Sequence, residues 1–238
     1  MAETLLDQAE FADNPEPRCP VVLLLDTSGS MQGAPIHELN EGLVAFNNTM
    51  KADRLASLRV EIAIVTFGGS VQAIDVQGGM GQAIGFDAQQ AFVTADSFQP
   101  PTLSAGGGTP MGEATRRGLR LLQERKDIYK QSDLDYFRPW MFLITDGQPT
   151  DEWQSAAQQV KEEEARKGVI FFGVGVEGAN MQTLAQFSDE RQPLKLKGLT
   201  FGELFQWLSK SLSAVARSKP GGQAPLPAVG WAQVDTAH

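Results

Sequence analysis

The stretch that decides the fold is Cys19–Asp26, CPVVLLLD, which is followed at once by the polar turn TSGSM. Its aliphatic residues run without a polar interruption, which is typical of a strand buried on both faces of a parallel sheet. A second run, RPWMFLITD at 138–146, has the same form and also ends in an aspartate. Two such strands predict a parallel sheet with helices packed on both of its sides.

Further strand-like and helix-like runs alternate along the chain. This alternation predicts an α/β fold with a Rossmann-like, doubly wound and mainly parallel sheet. The runs RVEIAIVTF and SVQAIDV are joined too tightly for a helix, so we expect a hairpin and one antiparallel edge strand there. The predicted strands span 19–26, 59–67, 70–76, 138–146 and 168–176, and the predicted helices span about 34–57, 110–130, 152–167, 180–188 and 201–217.

The chain has 238 residues, of which 42% are hydrophobic, enough for one globular domain with a sizeable core. Acidic residues at 1–18 predict a polar N-terminal arm, and prolines and glycines at 219–238 predict a C-terminal tail that Trp231 and Val234 could dock. The domain itself is expected at 19–218.

Charge and cysteine content exclude several classes of protein. Twenty Lys and Arg against 29 Asp and Glu give a net charge of −9, which argues against binding of a nucleic-acid backbone. The single cysteine excludes an internal disulfide framework. No apolar run is long enough to cross a bilayer, and the first residues lack the features of a signal peptide, so we expect a cytoplasmic protein without membrane contact.

A cluster of oxygen-bearing side chains is expected where the two aspartate-ending strands finish. A doubly wound sheet binds ligands beyond the carboxyl ends of its strands, where the winding reverses. Two carboxylates and three hydroxyls, without His or Cys, are hard ligands that suit Mg²⁺ or Mn²⁺. The candidate metal ligands are Asp26, Ser28, Ser30, Thr109 and Asp146.

The motifs DTSGS at 26–30, GGGTPMGEA around Thr109 and ITDG around Asp146 resemble the metal-ion-dependent adhesion site of von Willebrand factor type A domains. The resemblance covers about residues 18–218. It implies that these motifs bind Mg²⁺, with Mn²⁺ or Ca²⁺ as alternatives. It also implies that an Asp or Glu of a partner protein coordinates the bound ion. FRPWMFLITDGQPTDEW resembles the bacterial branch associated with tellurium resistance and stress response. That branch implies partnership with a protein kinase and a metal-dependent, PP2C-type protein phosphatase.

Three other interpretations stay open from the sequence. Asp26 and its serines could simply form a turn that caps a helix. Asp26 could instead be the nucleophile of a Mg²⁺-dependent phosphatase or phosphotransferase, although Ser28 stands where such an enzyme would place a second acid. The ion could also be vestigial in a structural protein. We favour a non-enzymatic interaction module, and we expect Asp151 to cap the helix at 152–167.

Overall fold

A computed structural model describes residues 11, 13–222, 224–229 and 232–234 and shows nine strands in one sheet. The strands are β1 (Cys19–Asp26), β2 (Val60–Gly68), β3 (Ser70–Ile74), β4 (Ala83–Ile84), β5 (Val93–Thr94), β6 (Trp140–Thr145), β7 (Ile170–Gly175), β8 (Leu194–Leu196) and β9 (Ala232–Val234). The α-helices are α1 (Ala34–Ala52), α2 (Arg54–Arg59), α3 (Ala88–Ala91), α4 (Met111–Gln131), α5 (Gln154–Ala165), α6 (Met181–Ala185) and α7 (Phe201–Ala216).

The sheet has the doubly wound form that the sequence predicts. Its order is β4-β3-β2-β1-β6-β7-β8-β9, and β2, β1, β6, β7 and β8 run parallel. The chain fills the β2 side of β1 first and then crosses to the β6 side, so the winding reverses at β1. This reversal leaves a crevice at the carboxyl ends of β1 and β6.

The predicted hairpin is confirmed, because β3 runs antiparallel to β2 and the turn lies at Gly69. The structure also contains antiparallel strands that the sequence patterns did not indicate. The two-residue strands β4 and β5 lie in the glycine- and glutamine-rich region, and β9 pairs with β8 at the opposite edge. Two or three residues are too few to carry a readable alternation of polar and apolar positions.

Helices cover both faces of the sheet and create two separate cores. In β1, Val21, Leu23 and Leu25 face the core formed with α1 and α7, while Val22 and Leu24 face the core formed with α4 and α5. Every residue of β1 is buried. This two-sided burial explains why the strand reads as an unbroken aliphatic run. No helix in the described part of the chain combines the length and apolarity that crossing a membrane requires.

One predicted helix is divided in the structure, and another ends without the usual glycine. The helix expected at 34–57 is divided at Asp53, whose carboxylate accepts hydrogen bonds from the backbone N–H groups of Leu55 and Ala56 at 3.2 Å and so starts α2. At the end of α5, the left-handed residue is Lys167, with φ 59°, and Gly168 donates back to the Glu163 carbonyl at 2.7 Å. This is the Schellman arrangement with a lysine in the position that usually holds glycine.

Part of the predicted polar arm is packed against the domain. Arg18 is 1% exposed, and its Nε donates to Oε1 of Glu61 at 3.0 Å. Arg125 on α4 donates from Nε to the other carboxylate oxygen at 2.8 Å, and the Tyr129 hydroxyl donates there too. The guanidinium groups of Arg18 and Arg125 also lie over the ring of Phe11, at 5.2 and 5.3 Å from its centroid. Residues 1–10 and 12 lie outside the described part.

The C-terminal stretch also contacts the domain in the residues that are described. The indole Nε1 of Trp207 donates to the Pro227 carbonyl at 2.8 Å, and β9 pairs with β8. The backbone of Val234 is therefore docked, whereas Trp231 lies outside the described residues. The division into an arm at 1–18, a domain at 19–218 and a tail at 219–238 stays a prediction.

Candidate metal centre

The five candidate ligands converge at the crevice where the winding of the sheet reverses. Asp26 ends β1, and Asp146 follows directly after β6, its parallel neighbour. Ser28 and Ser30 lie in the turn after β1, where residues 29–31 form a short 3-10 helix, and Thr109 lies two residues before α4. The crevice therefore collects side chains from three distant parts of the sequence.

A chain of short polar contacts joins the serines to the second aspartate. The Ser28 and Ser30 hydroxyl oxygens are 3.1 Å apart, and the Ser30 hydroxyl donates to Oδ1 of Asp146 at 2.7 Å. The Ser28 backbone N–H donates to Oδ1 of Asp26 at 2.8 Å, which fixes the turn on the strand that precedes it. The Asp26 carboxylate also accepts a hydrogen bond from the Thr145 hydroxyl through its Oδ2 atom.

The glycine loop 106–108 brings Thr109 to the same place. A Cβ placed on Gly147 would lie 3.1 Å from the Thr109 hydroxyl oxygen and 3.6 Å from Oδ2 of Asp26. These two oxygens are therefore both close to the same point beside Gly147. Gly107 has φ 79°, and a Cβ on it would lie 2.6 Å from the N and Cα of Gly69 in the β2–β3 turn. The loop therefore needs glycine at this position, both for its backbone conformation and for its close approach to the hairpin.

Residues after β6 hold the Thr109 segment and were not identified from the sequence. Thr109 and Thr150 are linked by two 2.9 Å hydrogen bonds: the Thr109 backbone N–H donates to the Thr150 hydroxyl oxygen, and the Thr150 backbone N–H donates to the Thr109 carbonyl. Asp151 was expected to cap the helix at 152–167, and this was wrong. Its carboxylate accepts from the N–H groups of Gly112 and Glu113 at 3.0 and 2.8 Å and so caps α4 instead.

The prediction for Asp151 failed because a side chain that caps a helix need not be close to that helix in the sequence. The backbone N–H of Ser155 at the start of α5 is satisfied by the Glu152 carboxylate at 2.7 Å, which leaves Asp151 available for the neighbouring helix. Thr145 and Thr150 flank Asp146 in ITDGQPT, so their proximity to it in sequence was the signal that could have identified them.

In the described part of the chain, no cationic side chain is a hydrogen-bond partner of the buried Asp26 carboxylate. Asp26 is fully buried, and this burial raises the pKa of its carboxyl above the ordinary value, although hydrogen bonds from Ser28 and Thr145 oppose the rise. The nearby charge of Asp146 raises the pKa further. A divalent cation between the two carboxylates would remove this repulsion.

The donor set fits a hard divalent cation. All five candidate side chains offer oxygen, and among the described residues no group of three or more His, Cys, Asp or Glu is arranged so that it could hold a metal ion. Mg²⁺ prefers a few carboxylate and hydroxyl oxygens together with water, whereas a structural Zn²⁺ site needs four N or S ligands. Asp26, Ser28, Thr109 and Asp146 are at most 8% exposed, and Ser30 is exposed, so the site opens to solvent at one side.

This fold and crevice define a class of α/β domain that binds its ligands at the carboxyl edge of a doubly wound sheet. The model of the von Willebrand factor type A domain matches residues 21–197, and the chain belongs to that family. The family consists generally of non-enzymatic modules for adhesion and protein interaction. A comparison with curated protein sequences found no significant match.

Several solved structures share the fold at low sequence identity. The pilus adhesin SpaC from Lactobacillus rhamnosus GG, in its open conformation, aligns over 85% of this chain and 31% of its own, at 14% identity and a TM-score of 0.61. A von Willebrand factor type A protein from Catenulispora acidiphila aligns over 83% and 43%, at 18% identity and 0.55. The PilB minor pilin from Streptococcus sanguinis aligns over 83% and 62%, at 13% identity and 0.53. The chain thus spans about a third to three-fifths of these proteins.

Proposed function

We propose that this chain is a divalent-metal-dependent protein-interaction module rather than an enzyme. The observation that supports it best is the hydrogen-bonded series Ser28, Ser30 and Asp146, which adjoins the buried carboxylate of Asp26. The proposed metal is Mg²⁺, with Mn²⁺ or Ca²⁺ as alternatives. The proposed ligands, some of them acting through water, are Asp26, Ser28, Ser30, Thr109 and Asp146.

The charge of this ligand set supports the recognition of an acidic group. The two carboxylates together carry as much negative charge as a divalent ion carries positive charge, and the three hydroxyls add none. An ion held mostly by neutral oxygens remains an electrophile and keeps exchangeable positions. Because Ser30 is exposed, the open side faces solvent, where an Asp or Glu of a partner protein can complete the coordination.

The environment of Asp26 supports binding over catalysis. A phosphoryl-accepting aspartate needs a free oxygen directed at its substrate. Asp26 is fully buried, and its two oxygens accept hydrogen bonds from the Ser28 backbone and the Thr145 hydroxyl. The second acid of such an enzyme would occupy position 28, which is serine. Steady phosphate release from an aryl phosphate, lost in Asp26→Asn, would overturn the proposal in favour of the phosphatase alternative.

The metal site is tested by thermal unfolding of metal-free protein against added Mg²⁺ or Mn²⁺. A ligand that binds only the folded state adds about 2.7 kcal/mol of stability at a hundredfold excess over its Kd. We expect this gain in the wild type, and a much smaller one in Ser30→Ala and Asp146→Asn. Ser70→Ala, an exposed serine on β3, is the matched control and should respond as the wild type does. A wild type that gains nothing would contradict the proposal.

The proposed setting is a bacterial cytoplasmic signalling system of the tellurium-resistance or stress-response type. Its support is the resemblance of FRPWMFLITDGQPTDEW to that branch of the family, and it makes a protein kinase and a PP2C-type phosphatase the partners to test first. Purified partners should bind the chain with Mg²⁺ and lose affinity in Asp146→Asn. Equal binding with and without metal would favour the vestigial-ion alternative.

A further inference from the structure

A second cavity lies at the opposite end of the sheet from the candidate metal centre. It encloses about 880 Å³ beside the amino ends of β6 and β7, where Trp140 and Ile170 line it. The last turns of α4 and α7 and the residues that follow α5 form its other walls. Its volume falls within the range of pockets that bind small molecules.

The lining of this cavity is basic although the chain as a whole is acidic. No aspartate or glutamate lines it among the described residues, and the cationic side chains that do are Lys126, Lys130, Arg138, Arg166, Lys167 and Arg191. In the described part of the chain, the acids that pair with these six within 4 Å are Asp127, Glu163, Glu164 and Glu190. Six cations against four paired acids make this region basic in a chain of net charge −9.

One of these cations, Arg138, has a hydrogen-bond donor that is not satisfied. Its Nη2 donates to the Glu164 carbonyl at 3.0 Å, and the Glu190 carboxylate is 3.8 Å away, too far for a hydrogen bond. Its Nε atom is buried and has no hydrogen-bond partner in the described part of the chain. A buried donor without an acceptor costs free energy, and a quarter of the Arg138 side chain is still exposed, so the guanidinium can donate a hydrogen bond to an incoming anion.

Lys167 supplies a second charge without compensation. It lies two residues after the end of α5 in the left-handed conformation, its side chain is exposed, and no ion pair joins it to any described residue. A lysine in this position gives up the conformational advantage that glycine would have there. The strained backbone and the unpaired ammonium group meet at the rim of the same cavity.

The cavity also has an apolar wall. Phe137, Trp140, Ile170, Val215 and Leu226 contribute to its lining, and Leu226 is one of the few large hydrophobic side chains that are exposed. A site that binds only a free inorganic ion would not need this apolar surface. The combination of cations on one side and aromatic and aliphatic groups on the other matches a ligand with both characters.

We propose that this cavity binds a small organic anion, a phosphate or carboxylate carried on an aromatic or aliphatic body. The guanidinium of Arg138 holds the anionic group, Lys167 adds charge at the rim, and the apolar wall contacts the body of the ligand. Burial lowers the pKa values of both Lys126 and Arg138, which is the direction expected when cations lack sufficient counter-charge. The site is separate from the metal centre and does not depend on it.

The test is a titration of metal-free protein with four probes at low salt. Phenyl phosphate and benzoate carry both characters, inorganic phosphate carries only charge, and benzyl alcohol carries only the ring. Chelator is removed before the titration because it is itself an organic anion. We expect phenyl phosphate or benzoate to raise Tm and to bind more tightly than the other two, and the tighter of the pair identifies the anionic group.

Substitutions of lining residues test whether the probes bind in this cavity. Arg138→Gln should weaken the tighter probe by about tenfold, as the loss of a charge-assisted hydrogen bond does. Lys167→Gly should also weaken it, and this variant is expected to fold well because it relieves a left-handed backbone. Lys51→Gln, which removes an exposed lysine at the end of α1, should bind as the wild type does.

Three results would overturn the proposal. The first is benzyl alcohol binding as tightly as the anionic aromatics. The second is that none of the four probes binds at millimolar concentration. The third is equal affinity in the wild type, Arg138→Gln and Lys167→Gly.

Discussion

Replacement of Gly107 by alanine tests whether the glycine loop fixes the position of Thr109. Gly107 has φ 79°, a conformation that costs an alanine about 1–2 kcal/mol. The new Cβ would lie 2.6 Å from the backbone of Gly69, and ordinary contact begins at 3.4 Å, so the loop and the hairpin must separate by nearly an ångström. Overpacking of this kind adds about 1–3 kcal/mol, which gives an expected loss of about 2–5 kcal/mol in the free energy of unfolding.

The same displacement should weaken metal binding. Ligand distances in metal sites are held to about 0.2 Å, so a shift of the Thr109 segment should lower the affinity for Mg²⁺ by about tenfold or more. Urea unfolding measures the stability, and the Mg²⁺ dependence of Tm measures the affinity. Both are expected to change in Gly107→Ala.

The neighbouring Gly106→Ala is the matched control for this experiment. Gly106 lies in the same loop, but it has no left-handed φ and nothing lies within 4 Å of a Cβ placed on it. Its replacement should be neutral or stabilising by up to about 1 kcal/mol, because it restricts the unfolded chain. If Gly107→Ala lost no more stability than Gly106→Ala, the close approach to Gly69 could not be what holds the loop.

Three further substitutions probe a buried ion pair, a helix cap and a left-handed residue in other parts of the structure. Glu61→Gln should cost about 3–5 kcal/mol in urea unfolding, because it leaves the two buried arginines without their carboxylate; exposed Glu41→Gln is the control, and a loss below about 1 kcal/mol would contradict this. Burial alone would raise the pKa of Glu61, but Arg125, Tyr129 and Arg18 lower it below its ordinary value, so its contribution is present above about pH 4.5 and is lost as the pH falls through the folded-state pKa. The pH dependence of stability in acid should therefore be shallower in the variant. Asp151→Ala should destabilise α4 by about 1–2 kcal/mol through loss of its cap, and an unchanged unfolding midpoint would refute that role. Lys167→Gly should raise the free energy of unfolding by about 1 kcal/mol, whereas a loss would show that its left-handed backbone carries no strain.

The central part of the fold could be predicted because its strands are buried on both faces. CPVVLLLD and WMFLIT are aliphatic or aromatic along nearly their whole length, and each is followed by turn residues. The sequence therefore showed where each strand begins and ends. Burial on two faces and a helical connection between strands leave few alternatives to a parallel sheet. The positions of Asp26 and Asp146 on neighbouring strand ends followed from that topology alone.

What could not be predicted depends on contacts between distant segments. Asp151 caps a helix that begins 40 residues before it in the chain, and Glu61 is satisfied by Arg18 and Arg125 from either side of the sequence. Periodicity and spacing describe only what neighbours along the chain do. The two-residue strands β4 and β5 could not be predicted for a related reason, because only their pairing with neighbouring strands defines them.

The pairing of β1 also determines when the candidate metal centre can form during synthesis. Leu25 pairs on one side with Thr66 and on the other with Ile144, so the strand that carries Asp26 receives its second neighbour only about 120 residues after it has been made. At ribosomal rates of about 5–20 residues per second, that interval is on the order of ten seconds. During this interval one edge of a largely aliphatic strand stays without its neighbour. The nascent chain is therefore expected to be a good client for chaperones that recognise apolar extended segments, and slow translation before Trp140 should increase its aggregation.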